Sequence, residues 1–264
     1  MAAIRLDRDG SLAVITIDRP DKLNALTLAM YEQLGEAFAE VRDDDRIGVA
    51  ILTGAGDRAF CVGADLGESI PALTEGRFDI SEWDAAHQKH SLLDKPVIAA
   101  IGGLCLGGGF EIMLSTDIRV ASSAASFALP ETGVGVVPAG GTLVRLIRQI
   151  PYAFAMDLML RGDRIDADTA QRYGLVNRVV APEELSGTAH AIAEELLGKS
   201  RTAMATVKQA MRELADLPYG EAFRQEALIG QRAFDSDDAR AGLAAFSERR
   251  TPVFPSAAAG RDAS

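Results

Sequence analysis

Gly107-Gly108-Gly109-Phe110-Glu111 follows the apolar run Val97-Ile98-Ala99-Ala100-Ile101 and precedes Ile112-Met113-Leu114-Ser115-Thr116-Asp117, which reads as a helix. A strand, a glycine run and a helix start leave backbone N–H groups unpaired at the positive end of the helix. Such a place suits an anion, either a phosphate or the oxyanion of a reacting thioester. Glu111, just inside the helix, would stand beside whatever those groups hold. The glycines equally fit a structural purpose, close packing of a helix on a sheet. The stretch alone leaves both readings open.

Downstream, Ile118-Arg119-Val120 and Ala125–Leu129 read as strands, and Pro130–Gly135 as a loop carrying Glu131. Pro138–Thr142 begins a helix whose apolar face is Leu143, Leu146, Ile147 and Ile150. A helix over Tyr152–Leu160, a short one capped by Asp166 and closed at Gly174, and a strand over Leu175–Val180 follow. Upstream, Arg5–Asp18 reads as a hairpin turning at Arg8-Asp9-Gly10, and Arg19-Pro20-Asp21-Lys22 breaks the strand. Thr27 caps a helix with Tyr31, Leu34, Phe38 and Val41 on its apolar face, which ends at Asp43-Asp44-Asp45. Ile47–Thr53 is a buried strand, and a second glycine-containing loop occupies Phe60–Leu66. Residues 68–93 are polar and irregular, suited to a lid or a pocket wall. His87 and His90, at i and i+3 without a third ligand, fit a solvated helix face better than a metal site. From Pro182 onward helices succeed one another over about 182–198, 201–215, 219–233 and 236–249. This order divides the chain into an α/β core over 1–190, a helical region over 191–254 and a disordered tail over 255–264.

Composition excludes several classes. The 264 residues, 48% hydrophobic and 25% charged, are those of an ordinary globular chain. The apolar runs are too short to span a bilayer, and the start resembles neither a secretory nor a transit signal, so the cytoplasm is expected. Two cysteines, Cys61 and Cys105, form no disulfide framework and read as small buried hydrophobes. A formal net charge of −11 without a basic stripe argues against nucleic acid. It also means that an anionic ligand would need a few placed cations and backbone N–H groups.

Four features then fall into one scheme. The loops Gly63-Ala64-Asp65 and Gly107-Gly108-Gly109 each follow a strand, and Glu111 and Glu131 each adjoin a loop expected at the same sheet end. One N–H group from each loop would hold the oxygen of a polarised carbonyl, at roughly 3–4 kcal/mol of enolate stabilisation per donor. Two adjacent carboxyls would titrate as a pair with one proton shared, so that one serves as base and the other as acid. Adding water across a conjugated double bond needs these parts. Single glutamates more often pair within a helix or sit on a surface loop, and that alternative stays open on spacing alone.

From about Leu12 to Val180 the chain resembles the crotonase, or enoyl-CoA hydratase/isomerase, superfamily. The resemblance is carried by Arg19–Leu26, Ala59–Leu66, Lys95–Ala100, Leu106–Glu111 and Phe127–Glu131, with Ala245–Arg250 similar to the family's closing helix. It implies an α/β fold, a spiral of ββα units with a C-terminal helical oligomerisation region, assembled as a homotrimer or a hexamer. It implies an oxyanion hole from the N–H groups of Ala64 and Gly108, and catalysis by Glu111 and Glu131, with Glu111 activating water and Glu131 handling the α-proton. Lys22, Ala25, Val62, Ala64, Asp65, Leu66 and Gly108 would bind the acyl-CoA thioester, and Arg249 would reach its phosphates from a neighbouring subunit. No metal or separate cofactor is implied, since coenzyme A is part of the substrate. Both carboxylates favour hydration or dehydration over thioester hydrolysis, decarboxylation or a one-carboxylate isomerase, and a CoA-ester binding protein that no longer catalyses stands as a further reading. Phe110-Glu111, Ala125–Glu131 and Val136-Val137-Pro138 also look similar to the carnitinyl-CoA dehydratase type, which tends to carry Trp where this chain has Ala64. For the quaternary ammonium of that substrate, Trp83, Asp79, Glu82 and Asp84 are possible partners.

Overall fold

The computed structural model describes residues 3–77, 79–91 and 93–258. Its strands form two sheets. The first holds β1 (Ala3–Asp9), β2 (Leu12–Asp18), β3 (Val49–Gly54), β5 (Val97–Ile101), β7 (Ile118–Ser122) and β10 (Arg178–Val180). The second holds β4 (Ala59–Cys61), β6 (Leu104–Leu106), β8 (Ser126–Ala128) and β9 (Ile165–Asp166). Strands 3, 5 and 7 lie side by side and parallel in the first sheet, while 4, 6 and 8 do the same in the second. Each successive pair of strands thus lays one strand on each sheet before the chain moves one position along, which generates a spiral of ββα turns. The central strand β5 is apolar throughout because both of its faces are covered. Val97–Ile101 is buried at every position.

Helix α1 (Leu28–Asp43) is capped by the Thr27 hydroxyl, which accepts from the Met30 N–H, and buries the expected Tyr31, Leu34, Phe38 and Val41. Between α2 (Ser69–Thr74) and β5 the chain is mostly turns, with one 3-10 turn over Ile80–Trp83. Helix α3 (Gly108–Met113) begins on the glycines and stops before Asp117, earlier at both ends than the sequence predicts. The Ser115 and Thr116 hydroxyls donate back to the carbonyls of Ile112 and Met113, which favours a turn over helix continuation. The buried Arg119 then donates to the carbonyls of Met113, Leu114, Thr116 and Leu175, pinning the negative end of α3.

Helix α4 (Thr142–Gln149) corrects another expectation. Pro138–Gly141 stay outside the helix, and Leu143 and Ile147 are 49% and 44% exposed while Leu146 and Ile150 are buried. The inward stripe instead takes Arg145, whose guanidinium answers the carbonyls of His87 and Gln88. Helices α5 (Tyr152–Arg161) and α6 (Ala167–Tyr173, capped by Asp166 and closed at Gly174) follow. Of the expected strand over Leu175–Val180 only Arg178–Val180 pairs, because Asn177 is spent on the backbone of Arg119.

Helix α7 (Leu185–Leu197) packs Leu185, Ala189, Ile192 and Ala193 on the first sheet beside Val49, Ile51 and Ile98. It therefore crosses position 190 as part of the core. Helices α8 (Arg201–Leu214), α9 (Tyr219–Phe234) and α10 (Asp237–Ser247) leave Val207, Met211, Phe223, Leu228, Leu243 and Phe246 exposed. The expected disordered tail needs correcting over 255–258: α11 (Pro255–Ala258) is a helical turn, held by Asp238, which accepts from the backbone N–H and the hydroxyl of Ser256. Residues 259–264 of that expectation lie outside the described residues. Among the described residues, no helix is long and apolar enough to cross a membrane.

Candidate active site

Strands β4, β6 and β8 are parallel neighbours, so the chain leaves all three at one edge of the second sheet. The three segments that follow are Val62–Leu66, Gly107–Glu111 and Leu129–Glu131. Ligands of parallel α/β sheets bind at this end of the strands. The first two segments touch through backbone alone: a Cβ placed on Gly63 would lie 2.6 Å from the Gly108 nitrogen, and one on Gly108 would lie 3.7 Å from the Ala64 nitrogen. Gly63 at φ +87 and Gly107 at φ +51 supply the left-handed turns this approach requires.

Ala64 forms a parallel bridge with Leu26, in which the Leu26 N–H donates to Gly63 O and the Asp65 N–H donates to Leu26 O. Alternation along an extended strand therefore turns the intervening Ala64 N–H away from Leu26. Gly108 is the first residue of α3 and has no acceptor within its helix. Two donors from different loops, with no chain acceptor among the described residues, thus stand next to each other.

The Arg19–Leu26 segment is built to hold the first of these loops. Asn24, fully buried at φ +58, accepts from the Arg19 N–H and donates to the carbonyls of Ala55 and Ala59. Arg19 reaches across to Ala25 O and, at 2.6 Å, to the Asp65 carboxylate. Arg19 also holds the Asp65 carboxyl below the usual range. Asp65 is therefore a latch on the loop, its second oxygen accepting from the Gly67 N–H. Ala25 is buried, Val62 and Ala64 are half-buried, and Lys22 and Leu66 are exposed, Leu66 at 81%. Arg249 is exposed beyond α10 at φ +55 and, like Lys22, makes no ion pair among the described residues.

Glu111 is buried at 6% exposure and its Oε1 accepts a long hydrogen bond from the Thr142 N–H at 3.4 Å. Burial and then the charge of Glu131 push its carboxyl up to about 7, against the opposing pull of Thr142 and the Gly140 N–H. Burial raises Glu131 as well, and its Oε2 is buried without a hydrogen-bond partner. Glu131 Oε1 lies over the glycine run, 3.1 Å from where a Gly107 Cβ would be. Two mutually repelling carboxyls in a dry site keep a shared proton near neutrality.

A stability consequence follows from that shift. The folded Glu111 carboxyl titrates above its unfolded value of 4.5, so its ionisation costs the folded state progressively between pH 4.5 and about 7. Glu111→Gln cannot ionise. It should match the wild type at pH 4.5 and gain up to about 3 kcal/mol at about pH 8 in chemical denaturation. A difference that does not change with pH would contradict this electrostatic account.

Sequence reasoning missed two side chains here, Tyr31 and His87. The expected solvated histidine pair divides: His90 is exposed and pairs with Asp84, whereas His87 is fully buried. Its ring lies 5.6 Å from that of Tyr31, and Tyr31 stacks on Trp83 at 4.2 Å. The Tyr31 hydroxyl, buried and without a partner, comes within 2.7 Å of a Cβ position on Gly108. Burial, with the charges of Cys61, Glu111 and Glu131, raises Tyr31 well above its ordinary value. In the sequence Tyr31 was one member of an apolar helical stripe, and Trp83-x-x-x-His87 at i, i+4 was the available signal.

The sequence pattern of the family described as enoyl-CoA hydratase/isomerase matches residues 7–257. The chain is 40% identical over 248 residues to the short-chain-enoyl-CoA hydratase of Clostridium acetobutylicum, covering 93% of this chain and 94% of the relative. It is 38% identical over 260 residues to the carnitinyl-CoA dehydratase of Escherichia coli, covering 96% and 98%. Among solved structures, the enoyl-CoA hydratase of Bacillus anthracis superposes with a TM-score of 0.90 at 34% identity, covering 96% of this chain and 99% of that one.

Proposed function

The chain belongs to the enoyl-CoA hydratase/isomerase family, and within it we propose that it is an enoyl-CoA hydratase, adding water reversibly to a trans-2-enoyl-CoA to give a 3-hydroxyacyl-CoA. One observation carries this: a buried and a half-buried carboxyl, both raised, beside two backbone donors that have no chain acceptor among the described residues. The thioester oxygen sits between the N–H groups of Ala64 and Gly108, which are fixed before charge develops on it. Water bonds to the β-carbon through its oxygen while Glu111 takes its proton, and Glu131 delivers a proton to the α-carbon as the enolate collapses. The reverse sequence eliminates water. One shared proton suffices for either direction, because each glutamate ends as the other began.

Lys22, Ala25, Val62, Ala64 and Leu66 line the path of coenzyme A in this reading. Lys22 and Arg249, exposed and free of ion pairs among the described residues, are the cations an acidic protein needs for the phosphates. The residues left exposed on α8–α10 support assembly as trimers, or hexamers built from them, in which Arg249 meets the substrate of a neighbouring subunit.

The carnitinyl-type alternative has less support at the head-group end. One face of Trp83 is taken by Tyr31, Asp79 and Glu82 cap their own turn, and Asp84 is paired with Lys89 and His90. The partners anticipated for a quaternary ammonium are thus already engaged. Purified protein mixed with crotonyl-CoA should consume the ultraviolet absorbance of the conjugated thioester. Turnover of crotonobetainyl-CoA alone would favour the alternative, and tight binding of CoA esters without turnover of any enoyl-CoA would refute catalysis.

A further inference from the structure

His87 and Glu111 approach one point from different parts of the chain. A Cβ placed on Gly140 would lie 2.5 Å from His87 Nε2 and 2.6 Å from Glu111 Oε2, so both atoms border the space that this glycine leaves free. The imidazole is locked in one tautomer. Nδ1 lies 2.9 Å from Trp83 O, a carbonyl that can only accept, so Nδ1 carries the hydrogen and Nε2 presents a lone pair. That lone pair is buried and has no partner, although a buried polar atom is ordinarily satisfied. The ring is held by its neighbours Tyr31 and Trp83, and Arg145 fixes the backbone at 2.6 Å from His87 O and 2.7 Å from Gln88 O.

We propose that His87 is a positioning residue for Glu111, its Nε2 accepting, across one water bridging the gap at Gly140, the hydrogen bond that protonated Glu111 donates. The proposal rests on the hydratase reading for its catalytic consequence, though not for the contact itself. The Thr142 and Gly140 N–H groups favour the ionised carboxyl, and beside the weakly basic Thr142 hydroxyl the His87 Nε2 lone pair is the stronger acceptor for the protonated form. Burial keeps His87 neutral, at about 4, so the ring accepts and does not donate. The charged or titratable neighbours of Glu111 are Glu131, Tyr31 and Arg145, and those of His87 are Lys89, Asp84 and Arg145. Of these, the neutral Tyr31 hydroxyl can also accept, but it lies against Gly108, whereas His87 Nε2 borders the same gap as Glu111 Oε2. A hydrogen bond that favours the protonated form makes Glu111 the stronger base toward water.

The test is the pH dependence of kcat/KM with crotonyl-CoA. His87→Phe keeps a ring and removes the acceptor. Its upper limb, where the pair loses its last proton, should move down by about one pH unit, with kcat about tenfold lower and KM within about twofold. His87→Gln, whose amide oxygen can accept, should restore the limb toward the wild-type position. An unmoved limb in the folded Phe variant would reduce His87 to packing and overturn the proposal. If that variant does not fold, nitrogen-labelled histidine in the wild-type protein decides. The Nε2 resonance of His87, one of three histidines, should shift as Glu111 titrates and remain fixed in Glu111→Gln. A resonance indifferent to pH in both proteins would overturn the contact. This measurement needs no substrate, so a failed hydratase assay and a failed His87 proposal are told apart.

Discussion

Glu131→Gln should lower kcat for hydration by roughly a thousandfold while the Kd for an acyl-CoA changes by no more than about twofold. The substitution is nearly isosteric. Glu131 Oε2 has no hydrogen-bond partner among the described residues, so the substitution breaks no contact at that oxygen. What the amide cannot do is exchange a proton with the α-carbon. The oxyanion donors belong to Ala64 and Gly108 and remain in place, which is why binding survives and turnover does not. The variant also removes the charge that helps raise Glu111, so Glu111 should titrate lower in it. A fully active Gln variant would end the two-carboxylate mechanism.

The second large effect is expected from a residue with no side chain. Gly63→Ala places a methyl group 2.6 Å from the Gly108 nitrogen, against the donor that is to hold the thioester oxygen. The strand geometry that aims the Ala64 N–H is disturbed by the same step, because φ at position 63 is +87. Loss of one such donor costs about 10²–10³-fold in kcat. Backbone strain alone has a control. Gly174 has a φ of +83, and a Cβ there meets nothing within 4 Å. Gly174→Ala should therefore lose only about 1 kcal/mol of stability and keep its kcat. Equal losses of kcat in the two variants would mean that strain, not the donor, explains the Gly63 effect.

The sequence and the structure agree most closely where a local rule fixes the answer. Thr27 and Asp166 cap the helices expected of them, and the C-terminal helices fall within a few residues of their predicted bounds, because caps and 3.6-residue periodicity act over one or two turns. The neighbourhood of Glu111 and Glu131 was legible for a different reason. Each follows a short strand, and adjacent parallel strands deliver their following loops to one sheet edge. What stayed hidden depends on contacts between distant segments. Asp65 reads as a ligand-binding loop residue, yet Arg19, 46 positions away, occupies its carboxylate. Arg145 lies outside the predicted apolar arc, yet it turns inward because two carbonyls of residues 87 and 88 take its guanidinium. His87 looks like one of a pair until the fold buries it and leaves His90 in solvent. No spacing rule encodes such partners, since their separation along the chain is set by the whole topology.

Isotopic labelling of the reaction tests the central claim most directly. With crotonyl-CoA in heavy-oxygen water the product should carry one labelled oxygen, on the β-carbon, and in deuterium oxide one deuterium on the α-carbon. Glu131→Gln should form little labelled product of either kind on the same timescale. Label at the γ-carbon, labelled oxygen in a released carboxylic acid, or an unlabelled and unchanged thioester would contradict hydration by the Glu111–Glu131 pair.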